Sequence, residues 1–284
     1  MKNIIFTFLF FLSASLVAQS EDYTISILTI GSGSSLSDSF GHSAIRAQSK
    51  TKQYDLVFNY GVYDYSDPKF YSNFIKGYLK YSLGVSYFKD FKSIYIANNR
   101  SIKEQVLHLP DDLKEKLVNK LIFNSRPENK DYFYDYFDNN CSTIIKDLIN
   151  ESLTQYGYAN NYSHANKLKN SYRSLIYENI NKNSWGSLGI DICLGSYIDQ
   201  QIEAEKNTFL PEYLFEYLNS SYYNYSNNNK KVEKVKLVKN IEFINKVKKV
   251  KKSIFNVFLT SPLFVFILIF TALFLLNYRN KENK

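Results

Sequence analysis

The chain is poor in the residues that most often carry covalent chemistry. It has two cysteines and three histidines among 284 residues. The cysteines, Cys141 and Cys193, allow at most one disulfide bridge. The histidines leave only His42, His108 and His164 as imidazole bases. Any site built on a thiol and an imidazole therefore has very few candidates.

Other signals are missing as well. The glycine-serine loop at 31–35 is not followed by Gly-Lys-Ser/Thr, which excludes a phosphate cradle of that type. No internal repeat is present, and we expect no cofactor and no metal. The net charge of +8 is concentrated in Lys230–Lys252. A basic chain often binds nucleic acid, but the export signal described next argues for a membrane surface instead, so no nucleic-acid partner is expected.

The N-terminus predicts export. A basic start at residues 1–3 and an apolar run from Ile4 to Val17 are typical of a secretory signal peptide, here residues 1–19. The alternative, an uncleaved anchor helix, would deliver the following domain to the same compartment.

A second apolar run predicts a transmembrane helix at residues 254–278. Val257–Leu276 carries no charge and has the length of a membrane span. A buried core helix is the alternative. The lysines of 246–252 would favour a cytoplasmic location for that flank, but a long exported domain overrides loop charge. We therefore expect an inner-membrane protein with a periplasmic main domain, one C-terminal span and a cytoplasmic tail at 279–284.

Between the two runs the sequence predicts an α+β domain at 20–218, followed by an Asn/Lys-rich basic linker at 219–253. The predicted strands are Tyr23–Ile30, Ser43–Ala47, Tyr54–Tyr60, Tyr81–Ala97 and Ser101–Leu109. The predicted helices are Pro68–Lys80 with an apolar stripe of Phe70, Phe74 and Ile75, a helix after Pro110 with Leu113, Leu117, Leu121 and Ile122 on one face, and a helix from Cys141 capped by Asn139 or Asn140.

The first turn of a helix is a favourable place for a reactive thiol. Unpaired N–H groups and the helix dipole there lower a thiol pKa, and the same N–H groups can hold an oxyanion. If Cys141 is a nucleophile, it also needs a base and a group that orients the base. His42 opens a strand directly after Gly41, whereas His108 alternates with apolar residues and His164 lies in a polar loop.

The orienting group is expected on the neighbouring strand, where Asn59 is the leading candidate and Asp55 and Asp64 are runners-up. Two alternatives stay open from the residues alone. Cys141 and Cys193 can form a structural disulfide in an oxidising compartment. Cys193, in an apolar stretch, can equally be a small buried hydrophobe.

Several motifs, in this order, resemble the Lnb N-terminal periplasmic domain of bacterial membrane proteins. They are FGHSAIR, FNYGVYDY, NRSIKEQVLHL, YFYDYFDNNCST, SWGSLGIDICLGSYID and FLPEYL, which together span 23–218. The resemblance implies a circularly permuted papain-like cysteine fold, related to NlpC-type amidases and to the lecithin:retinol acyltransferase group. It has an antiparallel sheet with packed helices, and the histidine strand precedes the cysteine helix.

The activity that the resemblance implies is lipoprotein N-acylation. An acyl chain passes from a phospholipid donor to Cys141 as a thioester, and then to the N-terminal amine of a lipoprotein acceptor, with His42 as base and Asn59 as the third member. The family motif has a leucine-type residue at the position of Cys193, which favours a free Cys141. Fuller members have several membrane helices, whereas this chain has one predicted span. Three alternatives therefore stay open: the chain works with a membrane-protein partner, acts on another substrate, or is a diverged relative. The competing functions are a cell-wall peptidase or amidase, a non-catalytic lipoprotein-binding module and a disulfide-stapled structural domain.

Overall fold

A computed structural model of the chain describes residues 22–63, 68–69, 72–73, 76–154, 157, 159–160, 170–226, 232–247 and 258–282. The strands in these ranges are β1 Tyr23–Ile30, β2 His42–Ser49, β3 Tyr54–Val62, β4 Lys80–Tyr87, β5 Ile102–Leu107, β6 Asp131–Phe133, β7 Ala159–Asn160, β8 Asn170–Ser171, β9 Gln201–Ile202, β10 Ser221–Ser226, β11 Val232–Lys236 and β12 Val238–Asn245. The α-helices are α1 Phe88–Ala97, α2 Asp111–Asn124, α3 Cys141–Leu153, α4 Tyr172–Asn179, α5 Trp185–Leu194, α6 Pro211–Asn219 and α7 Pro262–Glu282.

A seven-stranded sheet in the order β12-β5-β1-β2-β3-β4-β6 forms the centre of the domain, and each neighbouring pair is antiparallel. Strand β1 is buried on both faces. Ile25 and Ile27 belong to one apolar cluster, and Leu28 and Ile30 belong to another. Successive side chains of a strand point to opposite faces, so burial on both sides explains why β1 is apolar almost throughout. The predicted α+β class with an antiparallel sheet is confirmed.

Different helices cover the two faces of this sheet. Helices α2, α3 and α6 pack on the face that carries Ile25 and Ile27. Helix α1 covers the opposite face through Phe88 and Phe91. The sequence predicted α2 and α3 correctly, because each has one apolar stripe at helical spacing and a clear start. In α2 the predicted Leu113, Leu117 and Leu121 are buried, whereas Ile122 is exposed.

A third apolar cluster lies beside the sheet, where α4, α5 and the 3-10 helices Gly195–Asp199 and Ala204–Phe209 meet. Its centre includes Phe137, which precedes α3 by four residues, and Phe209. The cluster therefore joins the start of the cysteine helix to the part of the chain that contains α5.

Two of the predicted elements were wrong in part. The strand predicted over Tyr81–Ala97 ends at Tyr87, and α1 follows it directly. Phe88, Phe91 and Tyr95 recur at helical spacing and pack together. This signal was hidden by Ile94 and Ile96, which are β-branched and alternate as in a strand. The second such element is the helix predicted over Pro68–Lys80, because Lys80 already belongs to β4. The residues of its predicted apolar stripe, 70, 74 and 75, lie outside the described residues.

The segment predicted as a basic linker is largely structured. Strands β10 and β11 pair with each other, and β12 pairs with β5 at the edge of the central sheet. Tyr223 and Val238 of this segment are buried in the main core. The α+β domain therefore extends beyond residue 218, and the lysines described in β11 and β12, Lys234, Lys236 and Lys239, are exposed.

Among the described residues, one helix is long and apolar enough to cross a membrane, namely Pro262–Lys281 within α7. Almost none of it is buried against the rest of the chain, which disagrees with the alternative of a core helix. The predicted signal peptide at 1–19 and Lys248–Lys252 lie outside the described residues.

Candidate functional site

Cys141 is the first residue of α3, and Asn140 caps this helix. The Asn140 Oδ1 atom accepts hydrogen bonds from the backbone N–H groups of Ser142 (2.8 Å) and Thr143 (3.0 Å). The Asn140 backbone N–H donates to Thr143 Oγ1 in return, which completes a capping box. This cap differs from the expectation in one respect, because two of the N–H groups predicted to hold an oxyanion are already occupied.

The other half of the Asn140 side chain fixes the helix start to the rest of the domain. Its Nδ2 group donates to the carbonyl oxygens of Tyr136 (2.8 Å) and Phe209 (2.9 Å), and the residue is buried. The position of Cys141 therefore depends on a fully used amide, which an aspartate or serine cap would not reproduce.

His42 is the first residue of β2, and Gly41 makes that placement feasible. The Gly41 φ angle is +79°, and a Cβ atom there would lie 2.7 Å from the Ile30 carbonyl oxygen. Only glycine accepts both conditions without strain. A buried hydrogen bond between the hydroxyls of Ser43 and Ser142 (3.0 Å) then ties the residue after His42 to the residue after Cys141.

The structure brings His42, Asn59 and Cys141 together. The His42 Nε2 atom lies 2.5 Å from Asn59 Oδ1, so the ring donates to an amide oxygen of the neighbouring strand. This bond occupies Nε2, and the Cys141 thiol lies close enough to the imidazole for the two groups to interact electrostatically. Gly61 lies between the two groups, since a Cβ atom there would be 3.6 Å from His42 Cε1 and 3.9 Å from Cys141 Cβ.

The Cys141 thiol and the His42 imidazole shift each other's ionisation. Burial raises the pKa of Cys141, but the charge and hydrogen bond of His42 outweigh it, helped by the Ser43 N–H and the Ser142 hydroxyl, so the pKa is lowered. Burial lowers the pKa of His42, but the charge and hydrogen bond of Cys141 and the bond to Asn59 prevail, so this pKa is raised. Opposite shifts of this kind favour a thiolate–imidazolium pair.

Behind His42 lies a pair of residues that the sequence did not indicate. The His42 ring stacks on Tyr95 at a centroid distance of 6.4 Å, and the Arg100 guanidinium lies 4.9 Å from the Tyr95 ring centre. Arg100 is buried, donates to the Gly31 carbonyl and pairs with Asp38 at 2.6 Å. Its charge opposes protonation of His42 and therefore limits the upward shift of that pKa.

Three tyrosines just before Cys141, at alternate positions, also bear on the site. Burial, followed by the charge of Cys141, raises the pKa values of Tyr132, Tyr134 and Tyr136. They therefore stay neutral near the sulfur and keep their O–H donors. The Tyr136 hydroxyl is buried and has no hydrogen-bond partner among the described residues. The spacing in YFYDYFDNNC is the signal that marks these residues as a group.

The remaining candidates lie elsewhere. Asp55 forms an ion pair with Arg46 at 2.7 Å, whereas Asp64 and His164 lie outside the described residues. His108 is exposed at the end of β5. Both cysteines are free, and Cys193 is exposed on α5 rather than a small buried hydrophobe. The structure therefore contradicts the disulfide alternative and leaves Asn59 as the residue that contacts His42.

Comparison with known proteins places this geometry in a family context. The model of the Lnb N-terminal periplasmic domain family matches residues 16–176, which is more than half of the chain. His42, Asn59 and Cys141 all lie inside the matched segment. No curated protein and no solved structure matches the chain.

Proposed function

Because this chain belongs to the Lnb N-terminal periplasmic domain family, we propose that it is a membrane-anchored thiol acyltransferase that acts on lipoproteins in the periplasm. The observation that carries the proposal is the interaction of Cys141, at a helix start, with the His42 imidazole, whose Nε2 atom is held by Asn59. A nucleophile, a base and a group that orients the base are the parts that covalent acyl transfer needs.

The order of these parts also supports the proposal. His42 opens strand β2, Asn59 follows on β3, and Cys141 begins α3 later in the chain. A papain-like protease uses the same three roles with the cysteine helix first. We interpret this order as a circularly permuted papain-like arrangement, in which the histidine strand precedes the cysteine helix.

In the first step, the Cys141 thiolate attacks the carbonyl carbon of an ester-linked acyl chain on a membrane lipid. A carbon–sulfur bond forms as the bond to the glycerol oxygen breaks, and the His42 imidazolium gives its proton to that oxygen. The donor is a phospholipid, or the diacylglyceryl group of the lipoprotein itself, since both present the same glycerol ester. The Tyr136 O–H supports this step as a donor to the oxyanion, because it is buried, unpaired and near the sulfur.

In the second step, the free N-terminal amine of the lipoprotein attacks the thioester. The carbon–nitrogen bond forms, the carbon–sulfur bond breaks, and His42 takes a proton from the amine. Cys141 leaves as a thiolate and again faces an imidazolium. The hydrogen bond to Asn59 keeps the ring in one tautomer and one orientation through both transfers.

The membrane anchor contributes by proximity. Helix α7 fits a single span that ends in Arg279 and Lys281, which favours a cytoplasmic tail and a periplasmic domain at the inner membrane. Donor, acceptor and enzyme then meet in one leaflet. Holding reactants in place in this way contributes up to about 7–11 kcal/mol in well-oriented cases.

The test is acyl transfer by the full-length protein in lipid nanodiscs. A lipopeptide with a diacylglyceryl-cysteine and a free N-terminus is added, and the phospholipid acyl chains carry a heavy isotope. We expect the lipopeptide to gain one amide-linked chain, and Cys141→Ser and His42→Ala to abolish this gain. A heavy chain identifies the phospholipid as donor, whereas a light chain with loss of an ester identifies the lipopeptide.

Other outcomes contradict the proposal. Release of free fatty acid without N-acylation would indicate a lipid esterase, and cleavage of cell-wall peptides by the same protein would indicate an amidase. Wild-type protein that is folded, carries a free Cys141 thiol and leaves both lipids unchanged would exclude acyl transfer to these substrates.

A further inference from the structure

Helix α5 presents an outer face without charge. Trp185 and Ile192 are 52% and 73% exposed, and Gly189 and Cys193 are exposed beside them. These positions follow the spacing i, i+4, i+7 and i+8, so they lie on one side of the helix. Large apolar side chains rarely stay this exposed in water when they share a face, and such patches mark a surface that binds something.

The polar groups of α5 point away from this face. Ser184 and Ser187 are used in the capping box at the helix start. Asp191, the charged residue within the helix, accepts hydrogen bonds from Arg173 and from the Tyr177 hydroxyl. The outer face therefore carries no compensating charge, which is the composition of a helix side that contacts lipid.

The start of α5 contacts the start of the membrane-spanning helix α7. The Trp185 indole N–H donates to the Thr260 carbonyl (3.1 Å), and the Leu263 N–H donates to Asn183 Oδ1 (3.3 Å). The Trp185 and Phe266 rings lie 6.3 Å apart. A spanning helix enters the bilayer at its first turns, so these contacts place Trp185 at the level where tryptophan is enriched, the membrane–water interface.

We propose that α5 lies in the outer surface of the inner membrane, with Trp185, Ile192 and Cys193 in contact with phospholipid. The occupant is lipid rather than a second protein, because the face is continuous with the one helix among the described residues that is able to span a membrane. The Leu36 side chain packs against Gly186, where a Cβ atom would lie 2.7 Å from Leu36 Cδ1. If α5 contacts the membrane, the loop that contains Leu36 and precedes His42 therefore also lies next to the lipid.

The chain offers a direct probe, because Trp185 is its only tryptophan. The full-length protein is placed in vesicles of phosphatidylcholine and phosphatidylglycerol with bromine at shallow or deep positions of the acyl chains. We expect shallow bromines to quench Trp185 emission at least twofold more than deep ones, and aqueous iodide to quench it weakly. This readout is depth and not catalysis, so it can fail or succeed independently of the proposed function.

A second position separates an in-plane helix from mere proximity to α7. In the Cys141→Ser variant, Cys193 is the single thiol and takes a polarity-sensitive fluorophore about two helical turns beyond Trp185. We expect blue-shifted emission and quenching by the same shallow bromines. Water-like emission from the Cys193 label, together with bromine quenching of Trp185, would overturn the proposal. Strong iodide quenching of both probes would overturn it as well.

A charge on the outer face gives the matched control. Ile192→Asp is expected to shift the Trp185 and Cys193-label emission to longer wavelength and to lose most of the bromine quenching. Ile96→Asp, on an exposed position of α1, is expected to change neither signal. An equal shift from both variants, or no shift from Ile192→Asp, would contradict lipid contact by this face of α5.

Discussion

The hydrogen bond from His42 to Asn59 gives the sharpest prediction about the site. Asn59→Ala leaves a partly buried imidazole N–H without its acceptor at 2.5 Å. Loss of such a partner costs about 1–3 kcal/mol. The bond favours the imidazolium and raises the pKa of His42, so its removal lowers this pKa. The pKa of Cys141 then rises, because the charge of His42 is what holds it down.

The expected result is a smaller thiolate population at neutral pH. The neutral and the protonated ring both lose this bond, so only the difference between the two losses changes the thiolate population. With a factor of ten for each 1.36 kcal/mol, the Cys141 alkylation rate below its midpoint should fall by less than the roughly 150-fold that 3 kcal/mol would give. The assay is the second-order rate of iodoacetamide alkylation against pH. Peptide mass spectrometry reads Cys141 separately from Cys193. We predict that the Asn59→Ala profile moves to higher pH.

Two matched variants decide the reasoning. Asn59→Asp keeps a hydrogen-bond acceptor for His42, so the midpoint of its Cys141 alkylation profile should lie at lower pH than the midpoint of the Asn59→Ala profile. Asp55→Asn removes the runner-up carboxylate, which pairs with Arg46 instead, and should leave the profile unchanged. A wild-type profile for Asn59→Ala, or an equal shift from Asp55→Asn, would refute the assignment of Asn59 to His42.

Three further predictions concern neighbouring groups. Tyr136→Phe should lower acyl transfer by about 10²-fold through loss of an oxyanion donor, with an unchanged alkylation profile; an unchanged transfer rate would remove Tyr136 from the mechanism. Asn140→Ala should reduce the free energy of unfolding by about 2–4 kcal/mol, since it removes the cap and two buried donors; urea unfolding in micelles measures this loss, and a loss below that of an ordinary exposed cap would disagree. Arg46→Met should cost about 3–5 kcal/mol by leaving buried Glu104 unpaired, and a second change, Glu104→Leu, should restore part of it; no recovery would show that the ion pair is not the cause.

The parts of the site that could be predicted are those encoded in short stretches. Asn140 before an apolar helical stripe predicts the start of α3, and Gly41 before alternating residues predicts the start of β2. Asn59 follows from strand adjacency. These signals are local, so the sequence shows them without any knowledge of packing.

The parts that could not be predicted depend on distant segments. Arg100 reaches the site only because Asp38 and Gly31 hold its side chain beside Tyr95. The alternating tyrosines matter because folding surrounds their rings with apolar residues near the sulfur. The spacing in YFYDYFDNNC marks the tyrosines as a group but does not show that their rings lie near the sulfur. No pattern near Arg100 distinguishes it from the other arginines of the chain.

The amino-acid composition of residues 219–253 led to the prediction of a linker, whereas the structure contains strands there. The reason is again a dependence on distant segments. The stretch is rich in lysine and asparagine, which is typical of a linker. Its apolar residues are few but well placed, and β12 gains its stability by pairing with β5. An edge strand tolerates exposed lysines on its outer side, so low hydrophobicity did not exclude a strand here.

The central claim is that Cys141 carries the acyl chain during the reaction, and intact-protein mass spectrometry tests it most directly. The full-length protein is incubated with isotope-labelled phospholipid and unlabelled diacylated lipopeptide whose N-terminus is blocked, so that the second step cannot occur. The account predicts a mass increase of one acyl chain on Cys141, removed by neutral hydroxylamine as a thioester and absent from Cys141→Ser. Protein with a free thiol that stays unacylated, or acylation that persists in Cys141→Ser, would contradict it.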